Sequence, residues 1–273
     1  MTIKIKVFLS LSTFLLLLLS VVALFAPWIA QQDPNAIYLH LQYSPPSQLH
    51  WFGTDSNGSD IFSKVVWGTR LSLGISVTVV FISAIIGLLL GSLAGLLGGK
   101  TDYIIMRITD MVYAFPNFLF ALSLIAFLGP SFKNLLFALC FSSWASYARL
   151  VRLEILSLKE KDFIHNAKAL GSNWARILFF HIWPSLINPI LVYMTCSVAG
   201  ISIAEAGLNF LGLGVSLDTP SWGALLNQGR ASLSTAPYIS LFPGLAILTL
   251  VLAFNLLGEG LREYLDPKKK YSI

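Results

Sequence analysis

The chain has 273 residues, of which 56% are hydrophobic and only 11% charged, and its net charge is +5. So little polar surface excludes a soluble globule, and several windows exceed the ~18 apolar residues that mark a membrane-spanning helix. In that setting the positive balance reads as topology, with basic loops facing the cytoplasm, and not as nucleic-acid binding.

Residues 7 to 29, after Lys4 and Lys6, form the first apolar run. A cleaved signal peptide would carry a core of ~7–15 residues and a small-x-small cleavage site. This run is longer and ends in Phe25-Ala26-Pro27-Trp28, so residues 1–29 are expected to be a retained transmembrane helix. Residues 30–69 follow as a polar extracytoplasmic segment with turns at Gly53-Thr54-Asp55 and Asn57-Gly58-Ser59-Asp60. His50, Asp55 and Asp60 are too few ligands for a metal site, and the turns suffice to explain them.

The second span is expected at 71–98. Gly87, Gly91 and Gly95 lie four apart, with Ser83 one step earlier, a stripe of small residues that lets another helix approach closely. The third span, about 104–129, opens with Arg107 and Asp110 spaced for a local i,i+3 pair. Pro116 lies in its middle and should kink it, which suits a helix lining a path as well as a structural bend. The fourth span is placed at 134–156. Cys140 and Cys196 both sit in apolar runs and read as small buried hydrophobes.

Residues 159–184 are the longest run of mixed charge in the chain. Asp162 can cap a short helix in which Phe163, Ala167 and Leu170 share one face. Gly171 suits the left-handed position after it, and Ser172 or Asn173 can cap the next helix. A helix of about nine residues is ~13 Å long and marginal alone, so its apolar face should rest on another surface.

The fifth span, from Pro184 to near Gly214, carries Glu205, and a carboxylate inside a membrane is expensive. It lies ~30 Å along from Pro184, toward the outer end, with Asn209 on the same face. An interfacial position and a pathway or gating role both fit. An outer loop at 215–237 leads to a sixth span at 238–260, and Lys268, Lys269 and Lys270 follow as a topology anchor.

Six spans put both termini and residues 159–184 on one side. That side collects fourteen of the Lys and Arg residues and the other only four, which makes it the cytoplasmic side. The chain has no Gly-x-x-x-x-Gly-Lys-Ser/Thr phosphate loop and no Gly-x-Ser-x-Gly elbow, and His40, His50, His165 and His181 are scattered. It reads as a passage and not as a catalyst.

His165-Asn166-Ala167, Gly171 and His181-Ile182-Trp183-Pro184 keep the spacing of the cytoplasmic EAA loop of ABC-transporter permeases, with His165, Asn166 and Trp183 as departures. His50-Trp51-Phe52-Gly53-Thr54-Asp55, then Gly58 and Asp60, resembles the dipeptide, oligopeptide and nickel branch of that family, with Ser59 replacing its Arg. Asn209-Phe210-Leu211-Gly212-Leu213-Gly214 and Leu261-Arg262-Glu263 to Leu265-Asp266-Pro267 extend the resemblance over nearly the whole chain. It implies an all-α, polytopic membrane protein of about six transmembrane helices with the type I importer permease fold. Residues 70–273 would be the permease core, and its closest likeness is the C-type subunit.

The resemblance further implies peptide cargo, with nickel or a metal chelate as the alternative. A non-transporting membrane scaffold is the alternative of another class. Its implied partners are a second homologous permease, ATP-binding cassette ATPase subunits and an extracytoplasmic substrate-binding protein. No nucleic acid and no cofactor are implied, since ATP is bound by the partner subunits. The location is the inner membrane of a bacterium. Residues 159–184 would be the ATPase-coupling loop, with Asp162, Phe163, Ala167, Leu170, Gly171 and Pro184 as its working residues. Gly87, Gly91 and Gly95 would pack helices, and Pro116, Glu205 and Asn209 would serve the pathway or its gate.

Overall fold

The computed structural model describes residues 3–215 and 219–265. Lys268, Lys269 and Lys270, with Asp266 and Pro267 before them, lie outside the described residues. Helices dominate, and among the described residues the only β pairing is a single bridge between Thr54 and Asp60.

The chain opens with α1 (Ile3–Leu24) and a short α2 (Ala26–Ile29), broken at Phe25 just before Pro27. After a 3₁₀ turn at Leu39–Leu41 comes α3 (Ile61–Leu97), which starts ten residues before the expected span. Asp60 sets that start, because its Oδ2 accepts the Ser63 N–H at 2.7 Å. Ser63 and Lys64 made this stretch look like loop, yet both are buried. Gly98, at φ +64°, ends the helix.

The segment before α3 is a tightly hydrogen-bonded staple. Asp55 Oδ1 accepts the N–H groups of Asn57 (2.8 Å) and Ser59 (3.0 Å), and its other oxygen pairs with Lys64. His50 Nδ1 lies 3.0 Å from Asp60 Oδ1. Each acid thus has a partner within the turn, in line with the turn reading. Phe52 stacks on Phe242, and the Tyr238 hydroxyl donates to Ser44 O at 3.0 Å, so the staple is fixed to the last helix. Lys64→Ala should cost about 3–5 kcal/mol by leaving the buried Asp55 charge unpaired. Thermal unfolding in detergent checks it: Lys64→Met combined with Asp55→Asn should recover most of the loss, and a single variant as stable as wild type would sink the claim.

The third span departs from expectation. In place of one kinked helix there are two, α4 (Gly99–Tyr113) and α5 (Asn117–Leu128), bent by 84°. Pro116 stands just before α5, where it has no N–H to continue the ladder and disfavours helix at Phe115. Asp110 does not pair with Arg107. Arg149 of α6 (Phe132–Lys159) reaches it at 2.7 Å, and Arg152 binds Asp102 through two nitrogens. These cross-helix pairs hold α4 against α6.

After α6 come α7 (Asp162–Ala169), α8 (Trp174–Ile177), a π-helical turn (Leu178–Ile182) and α9 (Trp183–Phe210). The expected outer loop contains α10 (Trp222–Arg230), and α11 (Tyr238–Leu265) runs beyond residue 260. Trp222, 1% exposed, donates its Nε1–H to Val65 O at 3.0 Å, which seats α10 on α3. An amphipathic nine-residue helix buried on that one face was hidden by its Gly, Asn and Gln content.

Among the described residues, four helical stretches are long and apolar enough to cross a membrane: Ile5–Leu24, Ile61–Leu97, Trp174–Phe210 and Tyr238–Leu265. The bent α4–α5 pair makes a fifth if it is one span. α6 is long enough but diluted by Ser142, Ser143 and Ser146. It runs parallel to α3, since Gly87 lies beside Tyr147 and Gly95 beside Ile155. Two parallel helices require the chain between them to return, so α4 and α5 together make one crossing. The described helices thus give four or five candidate spans with α6 beside them, roughly the expected number, with α3 central and α6 and α9 packed on it.

The glycine stripe is the seam between α3 and α6. A Cβ at Gly91 would stand 2.5 Å from Ala148 O, and one at Gly95 2.9 Å from Ile155 Cβ. Ser83 continues the seam by donating to Cys140 O at 3.4 Å. Cys140 is buried there, whereas Cys196 is exposed, against the expectation for it.

Candidate functional site

The α7 helix is eight residues long, and its start differs from expectation. Lys161 occupies the cap position, and Asp162 is the first helical residue, where its charge complements the helix dipole without capping. Its packed face is also turned. Ile164 (1% exposed) and Ala167 (9%) lie against Val151, Ile155, Ile177, Ile182 and Leu186. Phe163 (43%) and Leu170 (87%) remain outside. Ala167 is therefore part of the inner face, while Phe163 and Leu170 are the apolar groups that the chain leaves uncovered. Spacing alone could not separate these faces, because Ala167 lies on the seam between them.

Gly171 takes φ +84°, as the sequence requires. The Gly171 N–H donates to Lys168 O and the Ser172 N–H to Ala167 O, the paired bonds that close a helix around a left-handed glycine. Asn173, and not Ser172, caps α8: its Oδ1 accepts the Arg176 N–H at 2.8 Å. Trp174 then lies between the ammonium groups of Lys159 (5.4 Å) and Lys168 (5.1 Å). Lys159 also donates to the Gly95 and Leu96 carbonyls at the end of α3.

The second half of the 159–184 stretch is not loop. Trp174–Phe210 forms one continuous helical column, with the π turn just before Trp183 and Pro184. Pro184 sits at the first turn of α9, where its missing N–H is tolerated by the widened turn. The departure at Trp183 has a use, since its Nε1–H donates to Ser92 Oγ of α3 at 3.1 Å. The Gly171 turn thus joins α7 to the start of the column that continues as α9.

Between α5, α6 and α9 lies a cavity of about 540 Å³. Its polar wall is Asn117, Ser142, Ser143, Ser146, Tyr147, Tyr193 and Ser197. None of these was singled out from the sequence, although Ser142-Ser143-Trp144-Ala145-Ser146-Tyr147 in mid-span is a visible signal. At one edge the Tyr113 hydroxyl donates to Ser146 Oγ at 2.6 Å, and the Arg149 guanidinium lies 4.3 Å over the Tyr113 ring. Pro116 directly precedes Asn117 and so positions the α5 end of the wall.

Glu205 and Asn209 do not line this cavity. Both are buried near the end of α9, so Glu205 is enclosed by protein and not held at an interface. Asn209 donates to Glu205 Oε1 at 2.6 Å and accepts the Val215 N–H at 2.8 Å. Asn227 of α10 donates to Phe210 O. The group ties the C-terminal end of α9 to the following turn and to α10.

Residues 87–271 match the family model described as binding-protein-dependent transport system inner membrane component. The glutathione transport system permease protein GsiD of Escherichia coli O6:K15:H31 is 46% identical over 255 residues, covering 93% of this chain and 84% of that protein. GsiD of Shigella sonnei matches with the same identity and coverage. A chain of the MetNI methionine ABC transporter, solved in inward facing conformations, aligns with a TM-score of 0.61 at 16% identity, over 76% of this chain and 98% of that one.

Proposed function

This chain belongs to the binding-protein-dependent transport system inner membrane components, and from that premise we propose that it is the peptide-passing permease subunit of an ATP-driven ABC importer. The observation that carries the cargo assignment is the 46% identity, over 93% of the chain, to permeases named for glutathione, a tripeptide. ATP hydrolysis belongs to partner subunits. A second permease, two ATPase sites and an extracytoplasmic carrier complete the assembly. Both termini and α7 face the cytoplasm, a placement that the excess of Lys and Arg on that side supports.

Phe163 and Leu170 of α7 dock in the ATPase subunit. When ATP closes the ATPase pair, α7 is drawn with it, and the Gly171 turn moves the α8–α9 column. Because α9 forms one wall of the cavity, that movement reshapes the space between α5, α6 and α9. The cavity then opens alternately toward the carrier and toward the cytoplasm.

Peptide is favoured over nickel by the chemistry of the wall. Imidazole suits nickel, whereas the lining is mostly apolar with a few hydroxyls and one amide. Uptake of labelled glutathione, dialanine and radioactive nickel in a deletion strain tests this. Peptide uptake should fall to background while nickel uptake holds. Lost nickel uptake with unchanged peptide uptake would reverse the assignment.

A further inference from the structure

We propose that the cavity between α5, α6 and α9 is a cargo subsite that holds a peptide by its backbone amides and is indifferent to the charge of the peptide's side chains. The inference rests on the peptide reading above and adds which residues touch the cargo and what they ignore.

Tyr147 is 1% exposed and lines the cavity, and its Oη lies beside the Ser197 side chain without forming a well-directed hydrogen bond. A buried phenol has given up its water, and leaving it unpaired is unfavourable unless another molecule enters. Two further groups on the wall have unused capacity. Asn117 and Ser143 make no side-chain hydrogen bond to another described residue. Ser197 spends its proton on Tyr193 O at 2.8 Å, and its oxygen faces the Tyr147 hydroxyl. The Tyr193 ring meets the Tyr147 ring edge-on at 4.9 Å and holds it in place.

These groups suit a peptide backbone. Each peptide unit offers one N–H and one C=O; a hydroxyl can serve either, and the Asn117 amide has the same donor and acceptor as a peptide group. Among the described residues, no carboxylate, ammonium, guanidinium or imidazole lines the wall. Arg149, one turn beyond Ser146, is paired with Asp110 at 2.7 Å. A lysine or glutamate side chain in the cargo therefore meets no matching or opposing charge. The volume of about 540 Å³ falls in the ~300–1,000 Å³ range of small-ligand sites.

The test uses the complete importer in cells and labelled Ala-Ala-Ala, Ala-Lys-Ala and Ala-Glu-Ala. Ser143→Asp should raise the ratio of Ala-Lys-Ala to Ala-Glu-Ala uptake about tenfold over wild type, the effect of one close, partly screened charge. That ratio does not depend on how much protein reaches the membrane. Tyr147→Phe should lower the maximal rate for all three about fivefold, the worth of one neutral hydrogen bond, while the half-saturating concentration set by the carrier holds. A Cβ at Gly200 meets nothing within 4 Å, so Gly200→Trp should fill the cavity and block all three peptides, with Gly200→Ala transporting normally. An unchanged Lys-to-Glu ratio in Ser143→Asp, or normal transport in Gly200→Trp, overturns the subsite. Wild type that takes up none of the three peptides overturns the peptide reading instead.

Discussion

Phe163→Asp combined with Leu170→Asp is expected to abolish peptide transport while leaving the helical bundle folded. Neither side chain belongs to the internal cluster that holds α7, and they are 43% and 87% exposed. Replacing them should therefore change the stability of the isolated chain by no more than about 0.5 kcal/mol each. In the assembly the same groups are proposed to enter an apolar cleft. Each buried apolar side chain there contributes about 1.5–3 kcal/mol, and an unpaired carboxylate in its place adds a desolvation cost. The loss is enough to reduce ATPase binding at least about a hundredfold.

Three readouts separate this from misfolding: the thermal midpoint of the purified chain, co-purification of the ATPase in mild detergent, and peptide-stimulated ATP hydrolysis. The first should hold and the other two should fail. Ile164→Asp should lose all three, because Ile164 is packed inside. Gly171→Val reaches the same function by another route. Its Cβ would meet nothing within 4 Å, so the cost is backbone strain alone, about 1–3 kcal/mol at φ +84°. Full transport by the double variant would show that α7 does not couple to the ATPase.

Gly87→Val is expected to lower stability and transport together. A Cβ at Gly87 would overlap Tyr147 Cβ and lie 2.8 Å from the Ala148 nitrogen and 2.9 Å from the Tyr147 carbonyl carbon. Those neighbours are mostly backbone and cannot swing aside. α3 and α6 must separate, along a seam that includes Gly91 and Gly95, and the cost should exceed the ~1–3 kcal/mol typical of overpacking. Since Tyr147 is also on the cavity wall, transport should be lost with stability. Gly74 is the control. It lies on the same helix with nothing within 4 Å of its Cβ, so Gly74→Ala should be neutral or stabilise by up to about 1 kcal/mol. Equal thermal midpoints for Gly87→Val and Gly74→Ala would refute the seam.

Much of this arrangement can be read along the chain. Gly171 had to be the left-handed residue after a short helix, because the apolar pattern stops there and a capping residue follows. Gly87, Gly91 and Gly95 had to be a contact stripe, because spacing of four puts them on one side. Other readings failed where two partners distant in sequence compete. Asp110 has Arg107 within local reach, yet Arg149 wins it across 39 residues. Asp162 has the composition of a cap but lies one step inside the helix. Pro116 permits either a kink or a break, and the two α4–α6 ion pairs favour the sharper bend.

The bilayer explains which features belong to each class. Lipid offers no hydrogen bonds, so every crossing must be a helix, and its length and the side of its flanking charges are written in consecutive residues. That is why the all-α class and the approximate positions of the spans follow from the chain alone. A membrane helix, however, is apolar on its lipid side and on its protein side alike, so no polarity pattern says which side faces inward. The cavity wall of Asn117, Ser143, Tyr147 and Ser197, the inner face of α7 at Ile164 and Ala167, and the enclosure of Glu205 by Asn209 come from which helices meet, and only folding brings those helices together.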